Sequence, residues 1–357
     1  MVDKATAYAH THTPATEAPG GTLPVAAAAA VRIPGPSAFN SALWQVEPQV
    51  AAWALHTGLL SEQTAEQARR ERHAAMAAHV WPWAPSRRLT ELARLTLWMF
   101  AVDDRSDALA RDPAAVHAEL DAMIRTVALA APAGAAPAPP AVRALADIVP
   151  RIGAAMGPAW RDRFGAHLAA WLRTNQDMLR HRADHAVLTP EAYAAWRRVS
   201  GATGWFFDLI EYAEDAELTP AEWSAPACRR LREAAADVIG WTNDLFSLDK
   251  ELASGETANL VLVLRHHRRL PLREAVAEAQ RLHTRRVAEL TAAGRALRAE
   301  PTTAVRRAAI RRYTDGIHAW ARGFLDFSRA SARYAAGGTR AQGRNSVPGR
   351  NNGLLGS

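Results

Sequence analysis

Apolar residues recur every three or four positions through most of this chain, the spacing of helices with one buried face. No stretch of appreciable length alternates apolar and polar residues as a half-buried strand does. The protein is therefore predicted to be all-α. The predicted helices cover residues 38–60, 62–79, 86–102, 114–129, 142–156, 160–181, 190–214 (interrupted near its glycines), 226–252, 257–267, 271–298 and 302–334.

The periodic pattern is lost at both ends of the chain. Residues 1–37 are rich in Thr, Ala, Pro and Gly, and residues 336–357 are rich in Gly, Arg and Asn, so both are predicted to be disordered tails. An Ala/Pro-rich stretch at 131–140 is predicted to be an exposed loop. No change in composition divides the remainder, so residues 38–335 are predicted to form one helical domain.

Composition limits the class of protein. The 357 residues are 49% hydrophobic and 22% charged, as in a soluble protein with a sizeable core. The single cysteine, Cys228, excludes an intrachain disulfide framework and a Cys-rich zinc site. No apolar run approaches the roughly 18 residues of a membrane span, and the N-terminus lacks the apolar core of a secretory signal. A cytoplasmic protein without a membrane span is expected.

The net charge of +7 raises the possibility of nucleic-acid binding. Apart from the cluster at 266–269, however, the basic residues are scattered among acidic ones along predicted helices. Lysine occurs only at Lys4 and Lys250. We therefore expect no nucleic-acid partner, and a basic helical protein that binds nucleic acid or another protein stays as the alternative from a different class.

Asn243, Ser247 and Glu251 are spaced four residues apart in the predicted helix 226–252. Because each residue advances a helix by about 100°, a step of four returns to nearly the same face, so the three form one stripe. An amide carbonyl, a hydroxyl and a carboxylate are hard oxygen ligands suited to Mg²⁺. A solvated helix face would show the same spacing, so the stripe needs a facing partner to indicate a metal site.

A cluster of carboxylates is the candidate partner. Asp103, Asp104 and Asp107 follow directly on the apolar helix 86–102. Carboxylates repel one another and are unfavourable at the negative end of a helix dipole, so divalent cations would relieve the arrangement. An acidic helix end in water is the alternative reading.

Together the two clusters resemble the motifs of the bacterial class I terpene synthases. That family carries an aspartate-rich D-D-x-x-D motif and a downstream N-D-x-x-S-x-x-K-E motif on separate helices. In this chain the motifs begin about 140 residues apart. They read Asp103-Asp104-x-x-Asp107 and Asn243-Asp244-x-x-Ser247-x-x-Lys250-Glu251.

Two further segments match the family, and two positions depart from it. Arg197 lies where the family has its diphosphate-sensing arginine, and Arg333-Tyr334 corresponds to its C-terminal Arg-Tyr pair. Six residues before that pair the family usually has Trp, whereas this chain has Phe327. Arg105, between the aspartates, replaces a residue that is usually bulky or apolar.

The resemblance implies a single-domain helical fold around a central cavity, and it implies ligand roles. It places three Mg²⁺ ions on two ligand sets. Two ions would be held by Asp103 and Asp107, and the third by Asn243, Ser247 and Glu251. The implied donors to the substrate diphosphate are Arg197, Lys250, Arg333 and Tyr334.

The reaction implied by the family generates an allylic cation, which requires an apolar, aromatic cavity closed to water. Phe100, one turn before the aspartates, is expected to face that cavity. Ser200-Gly201 resembles the family's helix break, where a backbone carbonyl faces the reacting carbon. The implied catalytic residues are therefore Arg197, Ser200, Gly201 and Phe100. Further aromatic candidates are Phe206 or Phe207, Phe327, and Trp320.

The resemblance implies a terpene cyclase that ionises a linear prenyl diphosphate, farnesyl or geranylgeranyl, and releases diphosphate and a cyclic sesquiterpene or diterpene. A chain-elongating or head-to-head prenyltransferase of the same fold is the neighbouring alternative, although such enzymes carry two aspartate-rich motifs. Protonation-initiated cyclisation needs D-x-D-D, and Ala101 occupies its first position. Substrate length, product skeleton, water capture and a homodimer are left open by the sequence.

Overall fold

A computed structural model of the protein describes residues 8–9, 27–108, 113–129, 138–184 and 187–334. The prediction of an all-α protein is confirmed for these ranges. From residue 43 onward the helices are α1 Leu43–His56, α2 Glu62–Arg70, α3 His73–Val80, α4 Ser86–Ala108, α5 Pro113–Leu129, α6 Pro140–Gly153, α7 Pro158–Asp184, α8 Pro190–Ser200, α9 Thr203–Ala213, α10 Pro220–Ser224, α11 Pro226–Ser254, α12 Leu260–Arg268, α13 Leu272–Ala299 and α14 Ala304–Ala330.

Two two-residue strands lie outside the predicted pattern. β1, Tyr8–Ala9, pairs antiparallel with β2, Val187–Leu188, and Tyr8 lies opposite Leu188. Strands this short carry no detectable alternation of apolar and polar residues, which is why the sequence pattern does not indicate them.

Two predicted helices are divided in the structure. The segment predicted as 62–79 becomes α2 and α3 because Arg72 adopts a left-handed conformation with φ 59°. The segment 190–214 is interrupted near Gly201, as predicted, and becomes α8 and α9. There the left-handed residue is Ala202, with φ 63°. Both breaks matter for the site, because each changes the direction of the chain and so the orientation of the side chains that follow.

The predicted disordered leader is wrong for residues 27–37. Ala27, Val31 and Ile33 are buried against the helical domain. Arginines of α14 satisfy the backbone of this stretch, since Arg322 Nη1 donates to the carbonyl oxygen of Ile33 at 3.2 Å and Arg329 Nη2 to that of Val31 at 2.9 Å. These partners are distant in sequence, so local periodicity cannot show them. The rest of the leader (other than residues 8–9), most of the loop predicted at 131–140, and the predicted tail at 336–357 lie outside the described residues.

The long helix α11 packs against α13 and α14 on one side and α8 on another. The helices α4, α7 and α9 are joined by edge-to-face contacts between aromatic rings. The Trp171 ring lies 5.8 Å from that of Trp98 on α4 and 5.7 Å from that of Trp205 on α9. Phe206 continues this aromatic layer to Trp320 on α14, with ring centroids 5.1 Å apart. The layer forms one end of an internal cavity.

Candidate active site

A cavity of 480 Å³ lies between α4, α7, α8, α9, α11 and α14. Its inner wall is largely apolar and includes Met99, Phe100, Trp171, Phe206, Trp320 and Phe324. Its polar wall contains residues singled out from the sequence: Asp103, Arg197, Ser200, Gly201, Asn243, Ser247, Lys250, Glu251, Arg333 and Tyr334. The structure thus brings together motifs that are up to about 230 residues apart in the chain.

Asn243, Ser247 and Glu251 lie on one face of α11 and are linked to one another. The Ser247 hydroxyl lies 2.8 Å from both the backbone oxygen of Asn243 and Oε1 of Glu251. Asn259, which caps α12, donates from Nδ2 to Oε2 of Glu251 at 2.7 Å. Burial raises the pKa of Glu251 to about 7, and the nearby Asp244 carboxylate adds to this effect.

These three side chains fit a divalent cation. Mg²⁺ binds oxygen at about 2.0–2.1 Å in octahedral geometry, which places neighbouring ligand oxygens about 3 Å apart. The 2.8 Å separation of Ser247 Oγ and Glu251 Oε1 is close to that value. An amide, a hydroxyl and a carboxylate also supply the hard oxygens that Mg²⁺ takes in proteins.

Arg197 reaches this stripe from α8 and is anchored by Asp244. Its Nε donates to Asp244 Oδ1 at 3.0 Å, and its Nη2 donates to Asn243 Oδ1 at 2.6 Å. The Arg197 side chain lines the cavity, and no hydrogen bond among the described residues uses its Nη1. Burial lowers the pKa of Arg197, but the Asp244 carboxylate outweighs it, so the pKa lies above its ordinary value and the cation is retained.

The sequence motif assigned no role to Asp244, yet its carboxylate is the centre of the hydrogen-bond network around Arg197. It is fully buried and also accepts hydrogen bonds from the Tyr193 hydroxyl and, at 3.0 Å, from the backbone N–H of Leu260. One carboxylate therefore joins α8, α11 and α12 and aims Arg197.

The break between α8 and α9 lies against the cavity. The backbone hydrogen bonds across it use the carbonyls of Arg197, Val199 and Ala202, and among the described residues none uses those of Ser200 or Gly201. A side chain at Gly201 would place Cβ 3.0 Å from the Arg197 carbonyl oxygen, so only glycine fits without a shift. The buried Ser200 hydroxyl has no hydrogen-bond partner in the described parts of the chain.

The pair that follows α14 joins the two motifs. Arg333 Nη2 lies 3.0 Å from Asp103 Oδ2, and its Nη1 lies 3.1 Å from Asp104 Oδ1. The Tyr334 hydroxyl accepts a hydrogen bond from Asn243 Nδ2 at 2.9 Å. Burial lowers the pKa of Arg333, but the carboxylates of Asp104 and Asp103 outweigh it and raise the pKa above its ordinary value.

The aromatic candidates separate into two groups. Three of them line the cavity: Phe100, Phe206 and Trp320. Phe207 is buried but is not part of the cavity lining. Phe327 is not among the residues that line the cavity; its ring packs against that of Phe100, with centroids 6.2 Å apart.

Two residues of the aspartate-rich motif remain to be placed. The Arg105 side chain is 53% exposed and pairs with Glu119 at 2.8 Å, so it points away from the cavity. Asp107 belongs to α4 by its backbone, but its side chain is outside the described residues.

Several residues around the cavity carry no sequence signal of their own. Glu71 and His73 approach Arg333 and Phe100 from the α2–α3 junction. Asn175 is buried, lines the cavity beside Trp171, and presents an amide to a largely apolar wall. Within a helix of mixed polarity such residues look like ordinary surface or core positions, so only the fold identifies them.

Comparisons with known proteins agree with this geometry. Residues 94–289 match the family described as Terpene synthase family 2, C-terminal metal binding. The (-)-delta-cadinene synthase of Streptomyces clavuligerus is 32% identical over 326 residues, which cover 84% of this chain and 96% of that protein. The 4-epi-cubebol synthase of Streptosporangium roseum, described as (2E,6E)-farnesyl diphosphate cyclizing, is 30% identical and covers 84% of this chain and 90% of that protein. The linalool/nerolidol synthase of S. clavuligerus in complex with 2-fluorogeranyl diphosphate superposes with a TM-score of 0.74 at 27% identity, covering 82% and 100% of the two chains.

An all-helical fold with two facing motifs at an aromatic cavity defines a class I terpene synthase, a lyase that releases diphosphate. The chain belongs to terpene synthase family 2, and its relatives are bacterial sesquiterpene cyclases for the most part. This assignment decides against the nucleic-acid-binding and prenyltransferase alternatives as the class of the protein. The family description also implies a divalent metal. Among the described helices none is long and apolar enough to cross a membrane.

Proposed function

We propose that this enzyme is a Mg²⁺-dependent cyclase that converts farnesyl diphosphate into a cyclic sesquiterpene and diphosphate. The observation that carries the proposal is the junction of the two motifs. Arg333 contacts Asp103, while Tyr334 contacts Asn243, so Asp103, the stripe of Asn243, Ser247 and Glu251, and the donors between them lie at one cavity. The farnesyl chain length is supported by the relatives, and a cavity of 480 Å³ is of the size that proteins use for ligands of this kind.

In the proposed site, Asp103 and Asp107 would hold two Mg²⁺ ions, and Asn243, Ser247 and Glu251 would hold the third. Mg²⁺ bound there would supply positive charge to neutralise the departing diphosphate. The chain's own donors complete that neutralisation. Their chemistry differs usefully, because the guanidinium groups of Arg197 and Arg333 can bind two oxygens at once while Lys250 is a compact point charge.

The remainder of the cavity directs the hydrocarbon. Departure of diphosphate leaves an allylic cation, and the faces of Phe206 and Trp320 stabilise positive charge by roughly 0.5–2 kcal/mol each, while Phe100 completes the aromatic wall beside Asp103. The carbonyls at Ser200 and Gly201 present negative partial charge at the break. Because the inner wall is aromatic and apolar, the cation is kept from bulk water long enough to close rings.

The test is incubation of the purified protein with Mg²⁺ and geranyl, farnesyl or geranylgeranyl diphosphate in separate reactions. Gas chromatography with mass spectrometry identifies products, and a phosphate assay measures diphosphate release. We expect a cyclic C15 product from farnesyl diphosphate and none after chelation of the metal. Preferred turnover of another chain length would correct the substrate, and a folded protein that releases no diphosphate from any of the three would refute the proposal.

A further inference from the structure

Glu71, at the end of α2, is outside every motif described above, yet it contacts Arg333, which lines the cavity. Its Oε1 accepts a hydrogen bond from Gln67 Nε2 at 2.9 Å, and its Oε2 lies 2.9 Å from His73 Nε2 and 3.2 Å from Arg333 Nη1. Its backbone carbonyl accepts a bond from the Ser331 hydroxyl at 2.7 Å. Side chain and backbone thus both connect Glu71 to the segment that carries Arg333.

The surroundings of Glu71 keep it charged and orient Arg333. The pKa of Glu71 is lowered to about 2, chiefly by the hydrogen bond with His73 and also by Gln67 and Arg333, against the effect of burial. The His73 ring stacks on Phe100 with centroids 4.1 Å apart, and the Arg333 guanidinium lies 5.0 Å from the same ring. Arg333 is therefore located by a carboxylate and an aromatic face at once.

Arg333 has partners of two kinds. Asp103 and Asp104 belong to the aspartate-rich motif, whereas Glu71 does not. Metal ions bound to that motif would engage the Asp103 carboxylate and reduce its attraction for Nη2 of the guanidinium. Glu71 keeps its attraction because it is fixed by Gln67 and His73 on a different pair of helices.

The carboxylates of Glu71 and Asp104 and the His73 ring also form a cluster whose ligand atoms lie within 4.8 Å of one another. A metal ion is not needed to explain it. Arg333 Nη1 lies 3.2 Å from Glu71 and 3.1 Å from Asp104, so a cation already occupies the position.

We propose that Glu71 is a positioning residue that holds Arg333 at the cavity through its contact with Nη1. Nη2 of Arg333 would then be free to bind the substrate diphosphate once a metal ion engaged Asp103. The inference rests on the proposed function. It makes the affinity for diphosphate depend on a carboxylate that does not touch the ligand. Without Glu71, the Arg333 side chain would have to be ordered each time diphosphate binds. We expect this entropy cost to weaken diphosphate binding by about tenfold.

The experiment measures binding of inorganic diphosphate in the presence of Mg²⁺ by isothermal titration calorimetry. Glu71→Gln keeps the size of the side chain and removes its charge, and we expect about tenfold weaker binding. Glu66→Gln is the matched control, since Glu66 lies on the same helix and pairs only with the exposed Arg69 and Arg70 among the described residues. That variant should bind as the parent protein does.

A double-mutant cycle separates positioning from general support of the fold. In an Arg333→Met background, Glu71→Gln should cause no further loss of diphosphate affinity. A loss that persists in that background, or binding by Glu71→Gln as tight as or tighter than that of the parent, would overturn the inference. Glu71→Asp, which keeps the charge but shortens the reach, gives the same direction of effect should Glu71→Gln not fold.

The outcomes also distinguish this inference from the proposed function. A folded parent protein that binds no diphosphate with Mg²⁺ would remove both. Normal binding and turnover by the parent together with an unaffected Glu71→Gln variant would remove the positioning role alone.

Discussion

Replacement of Asp244 by alanine is expected to damage both the stability and the activity of the enzyme. The residue is fully buried, and it accepts hydrogen bonds from Arg197 Nε at 3.0 Å, from the Leu260 N–H at 3.0 Å and from the Tyr193 hydroxyl. Without the carboxylate, three donors lose their acceptor at once. The most serious loss is that of Arg197, whose charge would remain in a buried position.

The magnitude follows from the kind of interaction that is broken. Removing one partner of a buried ion pair costs about 3–5 kcal/mol because the other charge is left uncompensated. The Arg197 side chain is 14% exposed and that of Asp244 1%, so solvent compensates little. We therefore expect Asp244→Ala to lower the free energy of unfolding by at least about 3 kcal/mol. The loss of activity should exceed the loss of folded protein, because Arg197 would no longer be oriented by the Asp244 carboxylate.

The assay is denaturant unfolding followed by tryptophan fluorescence, with kcat/KM measured at a temperature where the variant remains folded. Asp249→Ala is the matched control, since Asp249 is exposed on the same helix five residues later. The control should change the free energy of unfolding by less than about 0.5 kcal/mol. An Asp244→Ala variant as stable and as active as the Asp249→Ala variant would refute the role assigned to this carboxylate.

Three other outcomes are expected. Glu251→Ala should abolish turnover and weaken Mg²⁺ binding in calorimetry, since it removes the charged ligand of its stripe, and full activity would exclude that stripe from the mechanism. Gly323→Ala should lower the midpoint of thermal unfolding markedly, because the added Cβ would lie 2.0 Å from the His79 carbonyl oxygen, and an unchanged midpoint would contradict this packing. His283 has its pKa lowered to about 4 by burial, with Nε2 2.9 Å from the Thr242 hydroxyl, so the unfolded chain binds the proton more tightly. Stability should therefore fall by up to about 3 kcal/mol as the pH decreases from about 6.5 to 4, and a His283→Gln variant with the same pH dependence would show that another group is responsible.

The fold class and part of the polar wall could be predicted from local spacing, whereas the diphosphate donors Arg197, Lys250, Arg333 and Tyr334 were implied only by the family resemblance. Steps of four residues place Asn243, Ser247 and Glu251 on one face of a helix whatever the rest of the chain does. Likewise, an apolar helical stretch that runs directly into Asp103 and Asp104 has to direct carboxylates to the edge of the core. The family resemblance then related the two clusters, which local spacing alone cannot do.

Other features depended on contacts between distant segments. Phe327 and Phe324 lie three residues apart on α14, and only the packing of neighbouring helices against α14 decides that Phe324 lines the cavity while Phe327 packs against Phe100. Periodicity also could not show that residues 27–37 are anchored by arginines of α14.

The sequence by itself determined which residues could bind metal, because oxygen-bearing side chains and their helical spacing are local properties, and the resemblance to a family added the donors to diphosphate. Only the tertiary structure decided how the site residues are oriented and which neighbouring groups hold them in place. Asp244 was an unassigned motif residue and Glu71 belonged to no motif, yet the two carboxylates hold Arg197 and Arg333. A buried charge must be compensated by whatever group the fold brings to it, and that partner is selected in space rather than along the chain.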